Sequence, residues 1–418
     1  MIRILHLSYT DRNNGAGIAA KRIHDCIRDY NDPNINSLLR VNTIGVNNNN
    51  IIYTNKLIPR FLNLFKKYLE RIIIKFFNYD DNAFHSISIL PSLKHNEINN
   101  LDIDLVHLHW VQHETISIEE IGKIKFPIIW TLHDCWPFSA TEGYQDEIFD
   151  KRYIYGYKIR KKFRISEYVD KFCFLRKKLS WGKNINLIAP SEWINQCARN
   201  SILMKDNKIV IIPNPINTEQ FRPINKNYAR KSLKIKTDKK VILFGSIDGG
   251  RDPRKGADLL IDVLKYISNK GNIQIVIFGK KNKNQNIFEN TNFEIINLGK
   301  INSNDKMATI YSAADIFLIP SRIESFGQTA AEAQSCGTPV IGFDIGGLRD
   351  IVTHNKNGFL IEPFNTKKMA LAIDDLLRED KKISALSKAS RINAIDNWDY
   401  HKVAESHINF YKNILSNT

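Results

Sequence analysis

The chain has 418 residues, which is more than one ordinary hydrophobic core holds and enough for two α/β domains of about 200 residues each. Its 43% hydrophobic and 25% charged residues are typical of a globular protein, and it contains no apolar run long enough to span a membrane. The net charge of +16 favours anionic partners without distinguishing nucleic acid, anionic lipid and phosphorylated substrates.

The N-terminal segment Met1–Leu7 has no small-residue cleavage site after it and predicts a first β-strand rather than a signal peptide. Along the chain, short runs rich in Val, Ile and Leu alternate with longer amphipathic segments, which indicates parallel sheets buried on both faces. The strands predicted in the first half are Ile2–Leu7, Leu105–His109, Ile128–Leu132, Asn186–Ala189 and Lys208–Ile212. Those predicted in the second half are Lys240–Phe244, Ile273–Phe278, Phe293–Leu298, Ile316–Ile319, Pro339–Gly342 and Gly358–Ile361.

This alternation stops near Pro213-Asn214-Pro215 and restarts at Lys240, so we place the domain boundary at about residue 220. The predicted fold class is α/β, with two Rossmann-like domains at residues 1–219 and 220–398. Residues 399–418 predict a helix that either packs on its own domain or crosses back to the first one.

A glycine-containing turn, Asn13–Ala20, follows the first predicted strand and opens a helix. Gly15 and Gly17 lie where a helix N-terminus can approach a phosphate or a sugar closely. The spacing is not Gly-x-Gly-x-x-Gly, so a dinucleotide site is not predicted. The alternative is a tight turn in which the glycines only allow close packing.

Two stretches of the first half are rich in cations and aromatic residues, namely Lys56–Phe77 and Lys151–Lys183. On a helical wheel, Lys56–Phe77 divides into a basic half and an apolar half. This division is typical of a helix lying on anionic lipid, and also of a helix docked on a protein core. Lys151–Lys183 predicts a surface for anionic lipid or for a lipid-diphosphate acceptor, or else a solvated loop and helix. No RNA- or DNA-binding motif accompanies either stretch, so we expect no nucleic-acid partner.

His133 and Asp134 come directly after the predicted strand Ile128–Leu132. Ligands of open α/β sheets bind at the carboxyl ends of the strands, so both residues are candidates for contact with a substrate. The alternative is a structural histidine, which is the commoner role of a lone one.

A metal site is not predicted. His107, His109 and His113 resemble a ligand cluster, but His113 has no fixed geometry relative to the others and no carboxylate is clearly placed beside them. Asp102-Ile103-Asp104 is formally a DxD metal motif, yet it leads directly into a buried strand. The five cysteines stand singly, which excludes a zinc ribbon or disulfide framework and favours a reducing, cytoplasmic compartment.

The most informative stretch is Pro320–Ala333, where a predicted strand ends, a loop carries Glu324 and a helix begins near Phe326. The backbone N–H groups at the helix start suit a diphosphate, and Gly327 lets a ligand approach the backbone. Glu332, further along the helix, can accept both hydroxyls of a ribose, while Glu324 can hold sugar hydroxyls. The alternative is two solvated charges, but the alanines around Glu332 argue against it because they predict a close-packed helix face.

Upstream, Asp252–Gly256 precedes a predicted helix and supplies Arg254 and Lys255. Lys255 can reach the same diphosphate and, with an arginine, stabilise the charge that develops on it without a metal. Considered alone, this segment favours a solvated basic loop, but its combination with the Glu324–Glu332 segment favours the diphosphate site.

Taken in order, these motifs resemble the retaining GT-B glycosyltransferases of the Glu-x7-Glu family, a group similar to glycosyltransferase family 4. The pieces that carry the resemblance are Pro190–Trp193, Ile212–Asn214, Arg254–Gly256, Tyr311–Asp315, Glu324–Glu332 and Gly337–Val340. Thr131–Asp134 with Trp136–Phe138 resembles the branch of colanic acid, capsule and O-antigen synthesis.

The resemblance implies a GT-B fold in which an N-terminal acceptor-binding domain faces a C-terminal domain for the nucleotide sugar. It implies transfer of a hexose from a donor such as a UDP- or GDP-hexose, with no other cofactor, to a saccharide or polyprenyl-diphosphate-linked acceptor. Such an enzyme would act on cell-surface polysaccharide at the inner face of the cytoplasmic membrane. The alternatives are a nucleotide-sugar epimerase of the same fold and a basic nucleic-acid-binding protein.

By position, the resemblance assigns the ribose to Glu332, the donor sugar to Glu324 and the diphosphate to Lys255. The backbone of Ser325, Phe326, Gly327 and Gln328 would contact the diphosphate and sugar, and His133 would lie beside the transferred sugar, with Asp134 orienting the acceptor. Many members carry an arginine where this chain has Ser246, so either Arg251 or Arg254 must take its place.

Overall fold

The computed structural model describes residues 1–12, 14–43, 50–53, 57–77, 79, 84–92, 94–144, 151–160, 164–182, 185–246, 252–280 and 291–416. The chain divides into two compact units. Unit 1 consists of Met1–Pro215 with His401–Thr418, and unit 2 of Ile216–Tyr400. Each unit is a parallel sheet with helices, so the prediction of two Rossmann-like α/β domains is confirmed.

Unit 1 contains a seven-stranded parallel sheet with strand order β3-β2-β1-β4-β5-β6-β7. The strands are β1 (Ile2–Ser8), β2 (Ile35–Val41), β3 (Ile51–Ile52), β4 (Leu105–Leu108), β5 (Ile128–Thr131), β6 (Ile185–Ala189) and β7 (Ile209–Ile211). The helices are α1 (Gly15–Asp29), α2 (Leu57–Phe76), α3 (Lys94–Asn99), α4 (Ile118–Ile121), α5 (Arg152–Tyr155), α6 (Ile165–Ser180) and α7 (Glu192–Asn200). A short 3-10 helix covers Trp136–Phe138.

Unit 2 contains a six-stranded parallel sheet with strand order β10-β9-β8-β11-β12-β13. The strands are β8 (Lys240–Ser246), β9 (Ile273–Gly279), β10 (Glu294–Asn297), β11 (Ile316–Ile319), β12 (Val340–Phe343) and β13 (Gly358–Ile361). The helices are α8 (Lys226–Ser232), α9 (Ala257–Tyr266), α10 (Asn304–Ala313), α11 (Gln328–Ser335), α12 (Leu348–Ile351), α13 (Thr366–Leu377) and α14 (Asp380–Trp398). A large apolar core of strand and helix side chains holds this unit together.

The last helix, α15 (Tyr400–Leu415), belongs to unit 1 from His401 onward. Its Tyr411 is fully buried, and the Tyr411 hydroxyl lies 2.8 Å from Nδ1 of His107 in β4. Lys412 Nζ donates to Asp32 at 2.9 Å. These contacts attach the C-terminal helix to the sheet of unit 1.

Two strands of unit 1 were not predicted, namely β2 and β3. In β2 (Ile-Asn-Ser-Leu-Leu-Arg-Val) polar residues interrupt the apolar ones, and only part of it is buried. The other strands of the sheet were recognised by continuous apolar runs, a pattern that β2 lacks. β3 has two residues and carries no periodicity.

Among the described residues, no helix has the length and apolar content needed to cross a bilayer.

Candidate active site

In unit 2, the loop from β11 to α11 places Glu324 and the start of α11 together. Gly327 immediately precedes α11 with φ of 95°, a left-handed conformation that favours glycine. A side chain at position 327 would also come within 2.9 Å of Leu348. No side chain caps this end of α11, so its first turn keeps the backbone geometry that suits an anion.

Glu324 is nearly buried, and both its side chain and its backbone are held by neighbouring groups. Its Oε1 accepts a hydrogen bond from Ser321 Oγ at 2.8 Å and forms an ion pair with Lys255 Nζ at 2.6 Å. Its backbone carbonyl accepts from Gly347 N at 2.7 Å. Lys255 is predicted to bind a diphosphate and Glu324 a sugar, and the structure brings the two side chains into direct contact.

The approach of Lys255 to Glu324 depends on Gly256. This glycine has φ of 65°, and an added Cβ would lie 1.9 Å from the carbonyl oxygen of Pro320. Only glycine therefore lets the loop that carries Lys255 approach the end of β11 so closely.

Glu332 is buried on α11, and its Oε2 accepts a hydrogen bond from the hydroxyl of Tyr311 in α10 at 2.8 Å. Tyr311 is itself fully buried. The sequence analysis treated Tyr311 only as part of a motif, and its contact with Glu332 had no local signal because 21 residues separate the two. The one clue in the sequence was that Glu332, if buried, must accept a hydrogen bond from some donor.

The remaining predicted residues of this loop are Ser325, Phe326 and Gln328. The side chain of Phe326 is buried and lies edge-on to the ring of Trp398, with centroids 6.2 Å apart. It is therefore part of the core of unit 2. Gln328 is the first residue of α11, and Ser325 lies in the loop before it.

Arginines near the site are held by neighbouring carboxylates. Arg254 forms an ion pair with Asp252 at 2.5 Å. Arg322, which the sequence analysis did not single out, pairs with Asp258 at 2.5 Å and donates to the carbonyl oxygen of Pro253. Arg251 lies outside the described residues, so the identity of the expected phosphate-binding arginine stays a prediction.

In unit 1, Asp134 ties three parts of the chain together. Its Oδ2 accepts hydrogen bonds from Trp110 Nε1 at 2.8 Å and Gln112 Nε2 at 2.5 Å, and its Oδ1 accepts from Trp136 N at 3.1 Å. Burial raises the pKa of Asp134 to about 6, although these hydrogen bonds act in the opposite direction. Both carboxylate oxygens are thus engaged in organising the segment around His133.

His133 follows β5 and is nearly buried, with Nε2 lying 3.1 Å from Nδ1 of His109. The group that the structure assembles is His6, His107 and His109, whose ring nitrogens lie within 4.8 Å of one another. His113 is not part of it and lies 3.5 Å from Glu70 instead. Asp104 and Asp102, the formal DxD motif, both contact Arg3 at the start of β1.

The two glycines of the turn before α1 differ in their surroundings: Gly17 is closely packed, whereas a side chain at position 15 would meet no neighbour. Asn14 caps the helix by accepting a hydrogen bond from Gly17 N at 2.6 Å. A Cβ at position 17 would lie 2.7 Å from Thr10, so close packing alone explains that glycine. Nothing lies within 4 Å of a Cβ added to Gly15.

Helix α2 contacts the rest of unit 1 through its polar side. Glu70 is buried and its Oε1 accepts from Ser86 Oγ at 2.6 Å and Ile87 N at 3.0 Å. Lys67 Nζ lies 2.8 Å from the hydroxyl of Tyr9. Aromatic residues on the opposite side are exposed, namely Phe61 (70%), Phe65 (53%), Tyr68 (66%) and Phe76 (77%). The structure therefore does not show α2 docked through its apolar half.

Helix α6 contains two cations of the predicted basic surface Lys151–Lys183 that are not at the surface. Lys177 is fully buried and donates to the carbonyl oxygens of Trp136, Ser139 and Ala140, and burial lowers its pKa to about 7. Arg176 is also buried, bound to Glu119. Neither cation is available to a partner. The exposed side of α6 is instead apolar, with Ile165, Tyr168, Phe172, Leu175 and Leu179 spaced three and four residues apart and Lys171 and Lys178 beside them.

Two family models match the chain. Residues 225–393 match the glycosyl transferases group 1, and residues 59–220 match glycosyltransferase family 4. These two matches support a group 1 glycosyltransferase. It is 28% identical over 217 residues to an uncharacterized glycosyltransferase of Methanocaldococcus jannaschii, a match that covers 50% of this chain and 54% of that one. The chain thus spans about half the length of this curated relative.

Solved structures show the same fold. Sucrose-phosphate synthase of Thermosynechococcus elongatus superposes with a TM-score of 0.68 at 18% identity, over 100% of both chains. HepE of Anabaena, solved in complex with UDP and glucose, superposes with a TM-score of 0.67 at 15% identity over 99% of this chain and 100% of that one. At such low identity these neighbours establish the fold alone, which is the GT-B fold expected from the sequence.

Proposed function

We propose that the protein transfers a hexose from a nucleotide-diphosphate sugar to a saccharide acceptor, with retention of configuration at the anomeric carbon. The observation that carries the proposal is the pair of nearly buried carboxylates, Glu324 and Glu332, on either side of the uncapped start of α11. The match of residues 225–393 to the group 1 glycosyltransferase model supports the reaction class. Hexose, retention and a lipid-linked acceptor rest on the family resemblance.

In this proposal, Glu332 accepts the two ribose hydroxyls while Tyr311 keeps its carboxylate in place. The backbone from Ser325 to Gln328 holds the diphosphate, because the N–H groups at the start of a helix and the helix dipole favour an anion there.

The ion pair between Lys255 and Glu324 has a role in the same scheme. When the nucleotide sugar binds, Lys255 would leave the carboxylate of Glu324 and pair with the diphosphate, which carries more negative charge. Glu324 would then be left to accept hydrogen bonds from the sugar hydroxyls. As the bond between the anomeric carbon and the diphosphate oxygen breaks, Lys255 would stabilise the charge that appears on the leaving group, which removes the need for a metal.

The acceptor side of the proposal includes a membrane surface. The exposed aromatic face of α2 and the exposed apolar stripe of α6 both lie in unit 1, with Arg71, Lys75, Lys171 and Lys178 exposed among them. Aromatic and aliphatic side chains flanked by cations suit the boundary of an anionic bilayer. Such a surface would place the protein at the inner face of the cytoplasmic membrane, where a polyprenyl-diphosphate-linked acceptor is available.

Donor binding is the first test. UDP, GDP and their hexose conjugates would be screened for an increase in melting temperature, since a ligand that binds only the folded state stabilises it. Glu332→Gln removes the negative charge with little change of shape, and we expect it to weaken binding about tenfold or more, or roughly 1.4 kcal/mol. Glu362→Gln, on an exposed glutamate of unit 2, is the matched control.

Unchanged affinity in the Glu332→Gln variant would reject the site. The reaction is tested with the donor found in the screen and a saccharide acceptor, and NMR of the product gives the anomeric configuration. A product of inverted configuration would reject retention. Activity abolished by EDTA and restored by a divalent cation would reject metal-independent transfer.

A further inference from the structure

A line of three buried histidines runs through unit 1 and ends at His133. His6 Nδ1 lies 2.9 Å from His109 Nε2, and His109 Nδ1 lies 3.1 Å from His133 Nε2. His6 lies in β1, His109 directly follows the neighbouring strand β4, and His133 lies two residues after the end of β5. Because these strands are neighbours in the sheet, their ends bring the three rings together.

All three imidazoles are neutral near pH 7, because burial lowers the pKa of each one. A neutral imidazole has one N–H and one bare nitrogen. Each contact in the line must join an N–H to a bare nitrogen, so the three tautomers are coupled. Only two arrangements satisfy both contacts, one with every N–H directed toward His133 and the other with every N–H directed toward His6.

The far end of the line favours the first arrangement. Nε2 of His6 is buried and has no hydrogen-bond partner among the described residues. If the N–H groups pointed toward His6, this nitrogen would carry a proton with no acceptor. Buried N–H groups without a partner are rarer in folded proteins than acceptors without one. His6 therefore carries its proton on Nδ1 and donates to His109.

The surrounding groups do not interrupt the line. His107 stacks on His109 with ring centroids 4.2 Å apart, but its own nitrogens contact Tyr411 OH at 2.8 Å and Thr131 Oγ1 at 2.7 Å. His24 and His407 lie close enough to oppose a positive charge on His6. A metal held by His6, His107 and His109 would have to displace these hydrogen bonds, so the hydrogen-bonded line accounts better for the geometry.

We propose that His6 and His109 are positioning residues that fix His133 in the tautomer with its proton on Nδ1. His133 then presents an N–H donor to its ligand rather than a bare nitrogen. It would bind an oxygen of the sugar, such as a hydroxyl or the ring oxygen, and would not take a proton from it through this nitrogen. Among the described residues, the side chain of His133 makes its hydrogen bond through Nε2, which leaves Nδ1 for that contact. The role in sugar binding rests on the proposed function, whereas the tautomer does not.

The test uses the full chain with isotope-labelled histidine, whose ring-nitrogen chemical shifts distinguish the two neutral tautomers in an NMR spectrum. Assignment comes from the loss of one signal set in a His133→Gln variant. We expect wild-type His133 to carry its proton on Nδ1. In His6→Leu the line loses its first donor, so His133 should show a mixture of tautomers. In His6→Asn the amide can still donate to His109, and the wild-type tautomer should return.

The same pair of variants separates positioning from structure in the transfer reaction. We expect kcat to fall about tenfold in His6→Leu, with little change in KM for the donor, and to recover in His6→Asn. A proton on Nε2 of wild-type His133 would overturn the proposal, as would equal spectra and rates in the two variants. One equivalent of zinc bound by the wild type and lost in His6→Leu would also overturn it, since the nitrogens would then be ligands.

The spectrum is recorded without substrate, so it stands whether or not the chain transfers a sugar. If His6→Leu does not fold, the wild-type and His6→Asn spectra still decide the tautomer. The expected tautomer in a protein that transfers no sugar would refute the proposed function and leave this inference intact.

Discussion

At the scale of single residues, the contact between Tyr311 and Glu332 gives the sharpest test of how the site is built. Tyr311→Phe removes the hydroxyl that donates to Oε2 and leaves a buried carboxylate short of one partner. We expect the free energy of unfolding to fall by about 1–3 kcal/mol. Because Glu332 would lose its fixed orientation, affinity for UDP or GDP should fall about fivefold, roughly 1 kcal/mol.

The measurements are chemical unfolding and calorimetric titration with each nucleotide. Tyr228→Phe is the control, because Tyr228 is an exposed tyrosine of the same unit and should change neither quantity. Lower stability with unchanged nucleotide affinity would mean that Tyr311 supports the core without orienting Glu332 for a ligand.

Sequence spacing was sufficient to predict the carboxylates of the site but not their partners. Glu324 and Glu332 lie in one local segment, so strand, loop and helix periodicity predicted their places. Ser321 lies close to Glu324 in the sequence, but its hydrogen bond to Glu324 was not predicted, because a serine three residues from a glutamate is too common to be informative. Tyr311 and Lys255 reach their carboxylates through packing between segments 21 and 69 residues apart, which no local pattern specifies.

At the scale of elements, helix α2 shows what an amphipathic pattern leaves undetermined. The period predicts a helix with two unlike faces, and this prediction is confirmed over Leu57–Phe76. It does not predict which face contacts the protein, because either face satisfies the period. The structure uses Glu70 and Lys67 for that contact, since buried hydrogen bonds to Ser86, Ile87 and Tyr9 compensate for removing these polar groups from water.

This orientation predicts that aromatic side chains, and not only cations, bind α2 to a membrane. The triple variant Phe61→Ser, Phe65→Ser and Tyr68→Ser should lose flotation with vesicles of phosphatidylglycerol and phosphatidylcholine. Burying one such side chain in lipid contributes about 1.5–3 kcal/mol, so losing three should lower the bound fraction more than tenfold. The melting temperature should hardly change, because all three side chains are already exposed in the fold.

Leu371→Ser with Ile392→Ser is the matched control, since both residues are exposed and apolar but belong to unit 2. This variant should float as the wild type does. Reversing the charge of Lys67 would be a poor test, because it would also break the contact with Tyr9. Flotation that survives the triple variant, or a change from dimer to monomer without loss of flotation, would contradict a lipid-binding face on α2.

At the scale of the whole molecule, the two units differ in how their stability depends on pH. His354 is the only histidine of the sequence within unit 2, and Trp398 is its only tryptophan. Burial lowers the pKa of His24, His133 and His407 in unit 1 to about 3. It also lowers the pKa of His6, His107 and His109. Tryptophan fluorescence therefore reports mainly on the unit that contains these histidines.

The sign of the pH dependence follows from whether the folded or the unfolded unit binds more protons. The unfolded chain protonates these histidines near pH 6.5, whereas the folded unit does so only at much lower pH, so stability is lost as the pH falls. Between about pH 7 and about pH 5, His24, His133 and His407 together lower the free energy of unfolding by about 6 kcal/mol. The other buried histidines lower it further. Glu114 and Asp134 oppose this loss by about 4 kcal/mol, because burial raises their pKa to about 8 and about 6.

We therefore expect unit 1 to be less stable at about pH 5 than at about pH 7, by about 2 kcal/mol from the groups with stated pKa values and by more once His6, His107 and His109 are included. Denaturant unfolding followed by tryptophan fluorescence at the two pH values measures it. His24→Asn keeps a hydrogen bond to Ser37 within reach but cannot take up a proton, so it should move the acid midpoint to lower pH. His354→Asn, in the other unit, should leave the midpoint where it is. An unchanged acid midpoint in His24→Asn would contradict the expectation, because His24 would then take up its proton as readily in the folded unit as in the unfolded chain.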